Sequence, residues 1–212
     1  MHDAKLIWIT PDAEKLIGKI ARVSNPANED NPNVVGLLKY LIRHKHWSPF
    51  EMASMCLEIQ TTRAIAPQIL RHRSFSFQEF SQRYADPTKE LEFVTREARL
   101  QDSKNRQNSL ETDDEKLQAR WLEQQAFIIK CARSAYDWAI ANGIAKEQAR
   151  AVLPEGLIMS RMYMNGTLRS WIHYIQLRSA NGTQREHMEI AKECAKVIAE
   201  VFPLSNEFIT KE

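Results

Sequence analysis

The stretch that constrains this chain most is RHRSFSFQEFSQRY, residues 71–84. Its first three side chains can each carry positive charge, and hydroxyl, amide and carboxylate side chains and a further arginine follow. Adjacent cations repel one another, so such a cluster is usually compensated by an anion, and the planar fork of arginine suits phosphate and carboxylate oxygens. The serines and Gln78 add neutral donors that can orient a bound polar molecule.

A basic run is also typical of a solvated face or of a patch for nucleic acid. The neighbourhood favours a site, because residues 64–70, AIAPQIL, are largely apolar and lead directly into Arg71. Charge that follows an apolar segment in this way indicates a pocket wall rather than a flexible arm. Two other classes stay open: a nucleic-acid-binding module with Phe75, Phe77 and Tyr84 as stacking surfaces, and a helical scaffold protein.

The bulk composition narrows the class of protein. With 212 residues, we expect a single domain over residues 1–212 that can bury a core. The net charge of +2 is small for a dedicated DNA binder, so we predict small anionic substrates and no nucleic-acid partner. No apolar run approaches the roughly 18 residues that cross a membrane. No signal peptide is recognisable around Asp3, so we expect a cytoplasmic protein without a membrane partner.

Cysteine usage indicates neither a metal site nor a redox pair. The three cysteines are widely spaced and form no C-x-x-C motif. Cys131 and Cys194 fall among apolar helical positions, where we expect buried thiols, and Cys56 is expected inside a strand. None of them is predicted to act as a nucleophile.

Hydrophobic periodicity predicts an α+β fold, a helix-rich single domain around a modest, mostly antiparallel sheet. Predicted strands cover residues 52–62 and 91–95, with a strand or loop at 159–165. Predicted helices open at Thr10-Pro11, cover about 34–44, 64–70, 145–152 and 167–177, or follow the capping patterns Thr112-x-x-Glu115 and Thr183-x-x-Glu186. The first of these two capped helices should end at Asn142-Gly143. Residues 98–112 lack periodicity and are expected to form a long excursion.

A Rossmann fold is not expected. Strands and helices do not alternate, and the chain contains neither a G-x-G-x-x-G turn nor a Walker loop. If a dinucleotide binds here, another type of loop must hold its phosphates.

A second polar constellation lies in NGTLRSWIHYIQLR, residues 165–178. On a helix, Arg169 and His173 lie four residues apart on one face, and Ser170, Tyr174 and Arg178 form the neighbouring row. These rows fit the wall of a ligand cleft. They fit equally an exposed amphipathic helix whose basic residues meet carboxylates.

Glu147 and Arg150 form a smaller polar pair ahead of Leu153-Pro154. Because they lie three residues apart on a helix, they can pair across one turn. Such a pair stabilises a helix by only roughly a few tenths of a kcal/mol. Arg150 can instead bind an anion, and the residues alone leave both interpretations open.

Residues 71–83 closely resemble the signature of flavin-dependent thymidylate synthases, R-H-R-x-x-S-x-N-E-x-S-x-R. One position departs, where Gln78 keeps the amide of the family's asparagine on a longer arm. The resemblance extends to His46-x-Ser48-Pro49-Phe50-Glu51, to Gln68 three residues before Arg71, to Glu147-x-x-Arg150-x-x-Leu153-Pro154, and to Arg169-Ser170 followed by Leu177-Arg178.

This resemblance implies a reaction in which deoxyuridylate becomes thymidylate. Methylenetetrahydrofolate donates the carbon, reduced FAD donates the hydride, and NADPH reduces the flavin again. It also implies a homotetramer whose active sites are built where subunits meet. No attack by cysteine on the pyrimidine is needed.

The resemblance also assigns roles to individual residues. Arg178 is expected to be the catalytic residue that acts on the uracil ring. The side chains expected to bind dUMP are Gln68, Arg71, Glu79, Ser81, Arg83, Arg150 and Arg178. Those expected to contact FAD are Ser48, Arg71, His72, Arg73, Glu79, Arg169 and His173, with His46 close to the flavin.

Overall fold

The structure, a computed structural model, describes residues 2–29, 31–180 and 182–205. Its strands are β1 (Asp3–Ile9), β2 (Ser54–Thr62), β3 (Ser76–Glu79), β4 (Leu100–Gln101), β5 (Ser109–Leu110) and β6 (Met159–Thr167). Its α-helices are α1 (Ala13–Ala21), α2 (Val34–Arg43), α3 (Ala66–Ile69), α4 (Pro87–Glu90), α5 (Glu115–Ala141), α6 (Lys146–Ala149), α7 (Leu168–Arg178) and α8 (Arg185–Val201). Short 3₁₀ turns include Ser48–Met52 and Arg150–Val152.

A four-stranded sheet in the order β1-β2-β6-β3 organises the fold, and each neighbouring pair is antiparallel. The helix-rich α+β prediction is therefore confirmed, and the sheet is not the parallel sheet of a Rossmann fold. β2 and β6 pair in one unbroken register from Ser54↔Thr167 to Thr62↔Met159. The edge strand β3 belongs to the basic stretch at 71–84, so pairing with β6 brings that stretch close to the start of α7.

One face of the sheet carries the core. Met55, Leu57 and Ile59 alternate along β2 and are fully buried, as are Met162 and Met164 of β6. Each such side chain contributes roughly 1.5–3 kcal/mol by leaving water. Helices α7 and α8 cover this face, and both contribute buried apolar side chains to the same core cluster.

Three helix starts differ from the predicted ones. α1 begins at Ala13, because Thr10 is engaged elsewhere: its hydroxyl accepts from the Ser54 amide at 2.9 Å and donates to the Ser54 carbonyl. α5 begins one turn after Thr112, with the Asp114 carboxylate as its cap. α8 begins at Arg185 rather than after a Thr183 cap.

The strand predicted at 91–95 is wrong. Only an isolated bridge joins Phe93 to Ile158, flanked by backbone hydrogen bonds from Val94 to Leu157 and from Met159 to Glu92. The excursion at 98–112 contains the small β4-β5 hairpin. Two glutamines of α5 fasten this region, since the Gln118 amide bonds both backbone groups of Ala98 and the Gln125 amide bonds both of Arg96.

Helix α5 keeps much of its apolar surface outside the core. Ala132 and Ala139 are buried, whereas Leu117, Trp121 and Ile128, at the same helical spacing, stay exposed. Cys131 is also exposed, which corrects the expectation that it is buried, while Cys56 and Cys194 are buried as expected. Among the described residues, no helix has the length and apolar character needed to cross a membrane.

Candidate active site

Arg178, at the end of α7, meets His72 in the turn that follows α3. The Arg178 Nε atom donates to His72 Nε2 at 2.9 Å. Burial, followed by the charges of Arg178 and Arg71, lowers the pKa of His72, so the ring is neutral and accepts this bond. Arg178 thus keeps its terminal Nη donors for a ligand, while His72 holds the guanidinium in place.

Gln68 is linked to this pair through a histidine that the sequence did not single out, His187, whose ring centroid lies 6.2 Å from that of His72. His187 of α8 is fully buried, with Nδ1 at 3.3 Å from Gln68 Oε1 and Nε2 at 3.1 Å from the hydroxyl of Tyr174. Burial, aided by the charges of Arg178 and His72, lowers the pKa of His187 to about 3. Gln68 and His187 come from different helices, and no short motif links them.

Because His187 is neutral in the folded protein, we expect the free energy of unfolding to depend on pH. An unfolded histidine titrates near 6.5, so the unfolded chain takes up a proton there that the folded chain takes up only near pH 3. The free energy of unfolding should fall as pH drops from about 7 toward 5, by up to about 1.4 kcal/mol per pH unit for this residue. His72 and His173, whose pKa values are also lowered, add to the slope. Urea unfolding at pH 7.5, 6.5 and 5.5 measures it, and H187N should unfold with a shallower pH dependence.

A second polar group lies at the start of α7. Arg169 pairs with Glu51 of the 3₁₀ turn that Ser48 opens, and the Thr167 hydroxyl donates to the same carboxylate at 2.6 Å. Burial opposes ionisation of Glu51, but the bonds from Thr167 and Arg169 outweigh it and lower its pKa. His173 packs edge-on against Trp47, with ring centroids 4.8 Å apart. Three residues expected to contact FAD therefore lie together: Ser48, Arg169 and His173. Glu51, which belongs to the same sequence motif as Ser48, lies among them.

Glu79 is engaged within the chain. Its carboxylate lies 2.6 Å from Arg63 Nη1 and accepts a hydrogen bond from the Ser160 hydroxyl at 2.7 Å. This pairing fixes the end of β3 against β6. The expected contacts of Glu79 with dUMP and FAD stay predictions. The sequence around Glu79 did not reveal Arg63 as its partner.

The other expected nucleotide contacts lie beyond β3. The amide of Arg83 donates to the Ser81 hydroxyl, and Arg83 Nε lies 3.4 Å from a carboxylate oxygen of Glu147. Glu147 thus pairs with Arg83 rather than with Arg150, which begins the 3₁₀ turn after α6. Within the described residues, the exposed Arg71 and Arg73 form no ion pair, so both guanidiniums are available to an anion.

The expected site residues therefore fall into separate groups on one chain. One contains Gln68, His72 and Arg178, another surrounds Arg169, and a third follows β3. The cationic side chains and the neutral histidines suit an anionic, hydrogen-bonding ligand of the nucleotide type.

Comparison with known proteins agrees with this chemistry. The family model of the thymidylate synthase complementing protein matches residues 5–204. A probable flavin-dependent thymidylate synthase of Paramecium bursaria Chlorella virus 1 is 50% identical over 208 residues, 94% of this chain and 95% of the relative. A flavin-dependent thymidylate synthase of Synechocystis sp. is 53% identical over 190 residues, 90% of this chain and 86% of the relative.

The solved structures give the same result for the fold. A UMP/dUMP methylase from Streptomyces cacaoi, crystallised with 5-Br dUMP, superposes with a TM-score of 0.81 and 25% identity over 99% of this chain and 95% of that one. The chain therefore belongs to the thymidylate synthase complementing protein family, that of the flavin-dependent thymidylate synthases. The resemblance identified from residues 71–83 is confirmed.

Proposed function

We propose that this chain is a flavin-dependent thymidylate synthase, an enzyme that converts dUMP to dTMP by reductive methylation. Methylenetetrahydrofolate is the carbon donor, FAD the bound flavin and NADPH the reductant of that flavin. The observation that carries the proposal is the contact between Arg178 and His72 at 2.9 Å, because it joins the signature at 71–83 to the Leu177-Arg178 motif. Family membership and the relatives' names support it.

Arg178 performs the electrostatic part of the reaction. Carbon 5 of uracil is a poor nucleophile, and it becomes more reactive as electron density shifts onto O2, O4 and N3 of the ring. A guanidinium aimed at these atoms stabilises the negative charge as it develops. The neutral His72 accepts from Nε and so fixes the orientation of the guanidinium without competing for the substrate.

The residues present fit a flavin dinucleotide. Arg71 and Arg73 are exposed and carry no carboxylate partner among the described residues, which suits a pyrophosphate. Ser48, Arg169 and His173 form the second contact region, with Trp47 packed against His173. Bound flavin supplies the hydride, and the protein supplies position and field.

The nucleotide is bound by Gln68, Arg71, Glu79, Ser81, Arg83, Arg150 and Arg178. These residues lie in separate groups on one chain, which supports an active site completed by other subunits of a homotetramer. We place a subunit contact on α5, where large apolar side chains are exposed: Leu117, Trp121, Leu122, Phe127, Ile128 and Trp138. Exposed apolar surface on this scale is typical of an interaction site. The single domain and the cytoplasmic location stay predictions.

A charge placed on this face of α5 should break the assembly. F127E or W138E would put a carboxylate into the subunit contact, where it would lie unpaired and desolvated. We expect light scattering to show dimers or monomers at concentrations where the unmodified protein is a tetramer. R106E, which reverses the charge of an exposed arginine in the loop between β4 and β5, is the control. A tetramer that survives both F127E and W138E would exclude α5 as the contact.

A thiol plays no part in this mechanism. Burial raises the pKa of Cys56 and raises that of Cys194 further, so neither thiol ionises readily near neutral pH. Cys131 is exposed on α5 and has no hydrogen bond to any of the site residues described above. The triple variant C56A/C131A/C194A should therefore keep its turnover within about threefold, since loss of an essential nucleophile costs orders of magnitude more. Loss of activity in a folded, flavin-bound triple variant would require a thiol mechanism.

The proposed function is tested by the spectrum of the purified protein and by turnover of its flavin. We expect visible absorbance of bound FAD, bleaching on addition of NADPH, and reoxidation under anaerobic conditions that requires both dUMP and methylenetetrahydrofolate. The product dTMP should appear in equal amount. The proposal would be overturned if no flavin were bound after reconstitution with FAD, or if reoxidation of the flavin did not depend on dUMP.

A further inference from the structure

A chain of hydrogen bonds joins α3, α7 and α8 behind the candidate site. It starts at the Tyr174 hydroxyl, passes through His187 at 3.1 Å and continues to Gln68 at 3.3 Å. Gln68 Nε2 then donates to Gln184 Oε1 at 2.7 Å, and Gln184 Nε2 donates to Glu186 Oε2 at 2.8 Å. Tyr174, His187 and Glu186 are buried, whereas Gln68 is half-buried.

The ionised end of this chain fixes the direction of every bond in it. Burial disfavours the charge of Glu186, but the bond from Gln184 and the charges of Arg96 and Arg99 outweigh it and lower the pKa of this carboxyl. Glu186 is therefore an acceptor only, so Gln184 must turn its NH₂ group toward it. That orientation leaves Gln184 Oε1 for Gln68, whose own NH₂ group must then face Gln184.

The same logic continues to the buried end. Gln68 turns its oxygen toward His187, so His187 Nδ1 carries the proton and donates. His187 Nε2 is then an acceptor, and the Tyr174 hydroxyl donates to it. The buried surroundings agree with these roles, because burial lowers the pKa of His187 and raises that of Tyr174, which keeps the imidazole neutral and the phenol protonated.

These bond directions determine which groups of the Gln68 amide remain for a ligand. Its oxygen is occupied by His187, one N–H is occupied by Gln184, and one N–H is left. A free glutamine amide can rotate by half a turn and offer either oxygen or nitrogen to a ligand. In this chain the rotated form would set the Gln68 NH₂ group against the His187 N–H and its oxygen against the Gln184 oxygen. Gln68 therefore offers a donor and not an acceptor.

We propose that His187 is a positioning residue that holds the Gln68 amide as a hydrogen-bond donor for an oxygen atom of the nucleotide. This inference rests on the proposed function, in which Gln68 contacts dUMP. His187 itself touches no substrate, and it acts by keeping the oxygen of Gln68 away from an anionic ligand. The selectivity it creates is for acceptor oxygens, the chemistry of a phosphate or a uracil carbonyl.

Two substitutions at the same position separate this role from simple packing. In H187N the side-chain amide nitrogen takes the place of Nδ1, so it can still donate to Gln68 while the bond to Tyr174 is lost. In H187Q the amide takes the place of Nε2, so the bond to Tyr174 is kept while the oxygen of Gln68 loses its donor. Both variants bury a neutral amide smaller than or similar to imidazole, so they are matched in polarity.

The experiment titrates the FAD-loaded protein with dUMP, follows the flavin spectrum to obtain Kd, and measures KM and kcat with thermal unfolding alongside. We expect H187N to bind dUMP with a Kd close to that of the unmodified protein and H187Q to bind about tenfold more weakly, because the Gln68 oxygen is left unsatisfied or the amide rotates. The defect of H187Q should lie in KM rather than in kcat or in flavin reduction by NADPH.

A third variant keeps the test decisive if H187Q folds poorly. Gln184 is exposed, and Q184A removes the other restraint on Gln68 without disturbing the core, so dUMP binding should weaken by about threefold. Unchanged Kd in Q184A and H187Q, or equal weakening in H187N and H187Q that follows their loss of thermal stability, would overturn the positioning role. Failure of the unmodified protein to bind dUMP would instead overturn the proposed function and this inference with it.

Discussion

Replacement of Arg178 with alanine is expected to lower the rate of methyl transfer by about 10²–10³-fold, the usual cost of losing one preorganised donor to a developing negative charge. FAD should remain bound, because the expected flavin contacts of Arg71, Arg73 and Arg169 are untouched. The measurement is single-turnover formation of dTMP by the reduced, flavin-loaded variant. R178K keeps the positive charge but lacks the planar fork, so its rate should fall between those of R178A and the unmodified protein.

The control for Arg178 is an arginine that belongs to none of the site groups. Arg106 is exposed in the loop between β4 and β5, and R106A should react at the unmodified rate. The same series tests the contact with His72, since R178A leaves its Nε2 without the donor at 2.9 Å. Turnover by R178A within tenfold of the unmodified protein would reject a catalytic role. Loss of flavin from R178A would mean that Arg178 mainly holds the turn at 71–74.

Regular burial is what made parts of this fold predictable. The apolar patterns at 34–44 and 52–62 predict α2 and β2, and both elements are present. β3 is a strand for a different reason: its four residues pair with the edge of β6 at long sequence distance, and their own side chains are mostly polar. The stretch at 91–95 shows the reverse, since only one bridge, from Phe93 to Ile158, pairs it with the chain at the start of β6.

Capping residues were less reliable than periodicity, because one side chain has several possible partners. The Thr10 hydroxyl bonds Ser54 across the sheet rather than the start of α1. Glu186, the last residue of the pattern T-x-x-E, forms ion pairs with Arg96 and Arg99 from the segment before β4. Local sequence does not distinguish these long-range partners from a local cap.

The residue types of the candidate site were predictable from the signature, but their pairing was not. Arg178 meets His72, and Arg169 meets Glu51, across more than 100 residues of chain. Glu147 does not pair with Arg150 across a helical turn, because its carboxylate lies against Arg83 instead. His187 gave no signal, since a buried histidine in an apolar helix face resembles any other core position.

Truncation of Trp171 is expected to cause the largest loss of stability. Its indole is fully buried, donates from Nε1 to the Met55 carbonyl at 3.0 Å, and packs edge-on against Phe75 with ring centroids 4.9 Å apart. W171A should lower the free energy of unfolding by about 3–5 kcal/mol, the cost of the lost apolar contacts and of the cavity left behind. Denaturant unfolding measures the difference directly.

The loss at Trp171 should reach the site through Phe75. That ring also lies close against Gly166, where an added Cβ would collide with it, so Trp171 and Gly166 both pack against the residue that ends the turn carrying Arg73. W171F keeps an aromatic ring but loses the bond to Met55, so it should cost only about 1–2 kcal/mol and retain flavin. W8A, at a half-exposed tryptophan of β1, is the control and should cost less than W171A. If W171A unfolded at the same denaturant concentration as W8A, the turn at 71–74 would not depend on this aromatic packing.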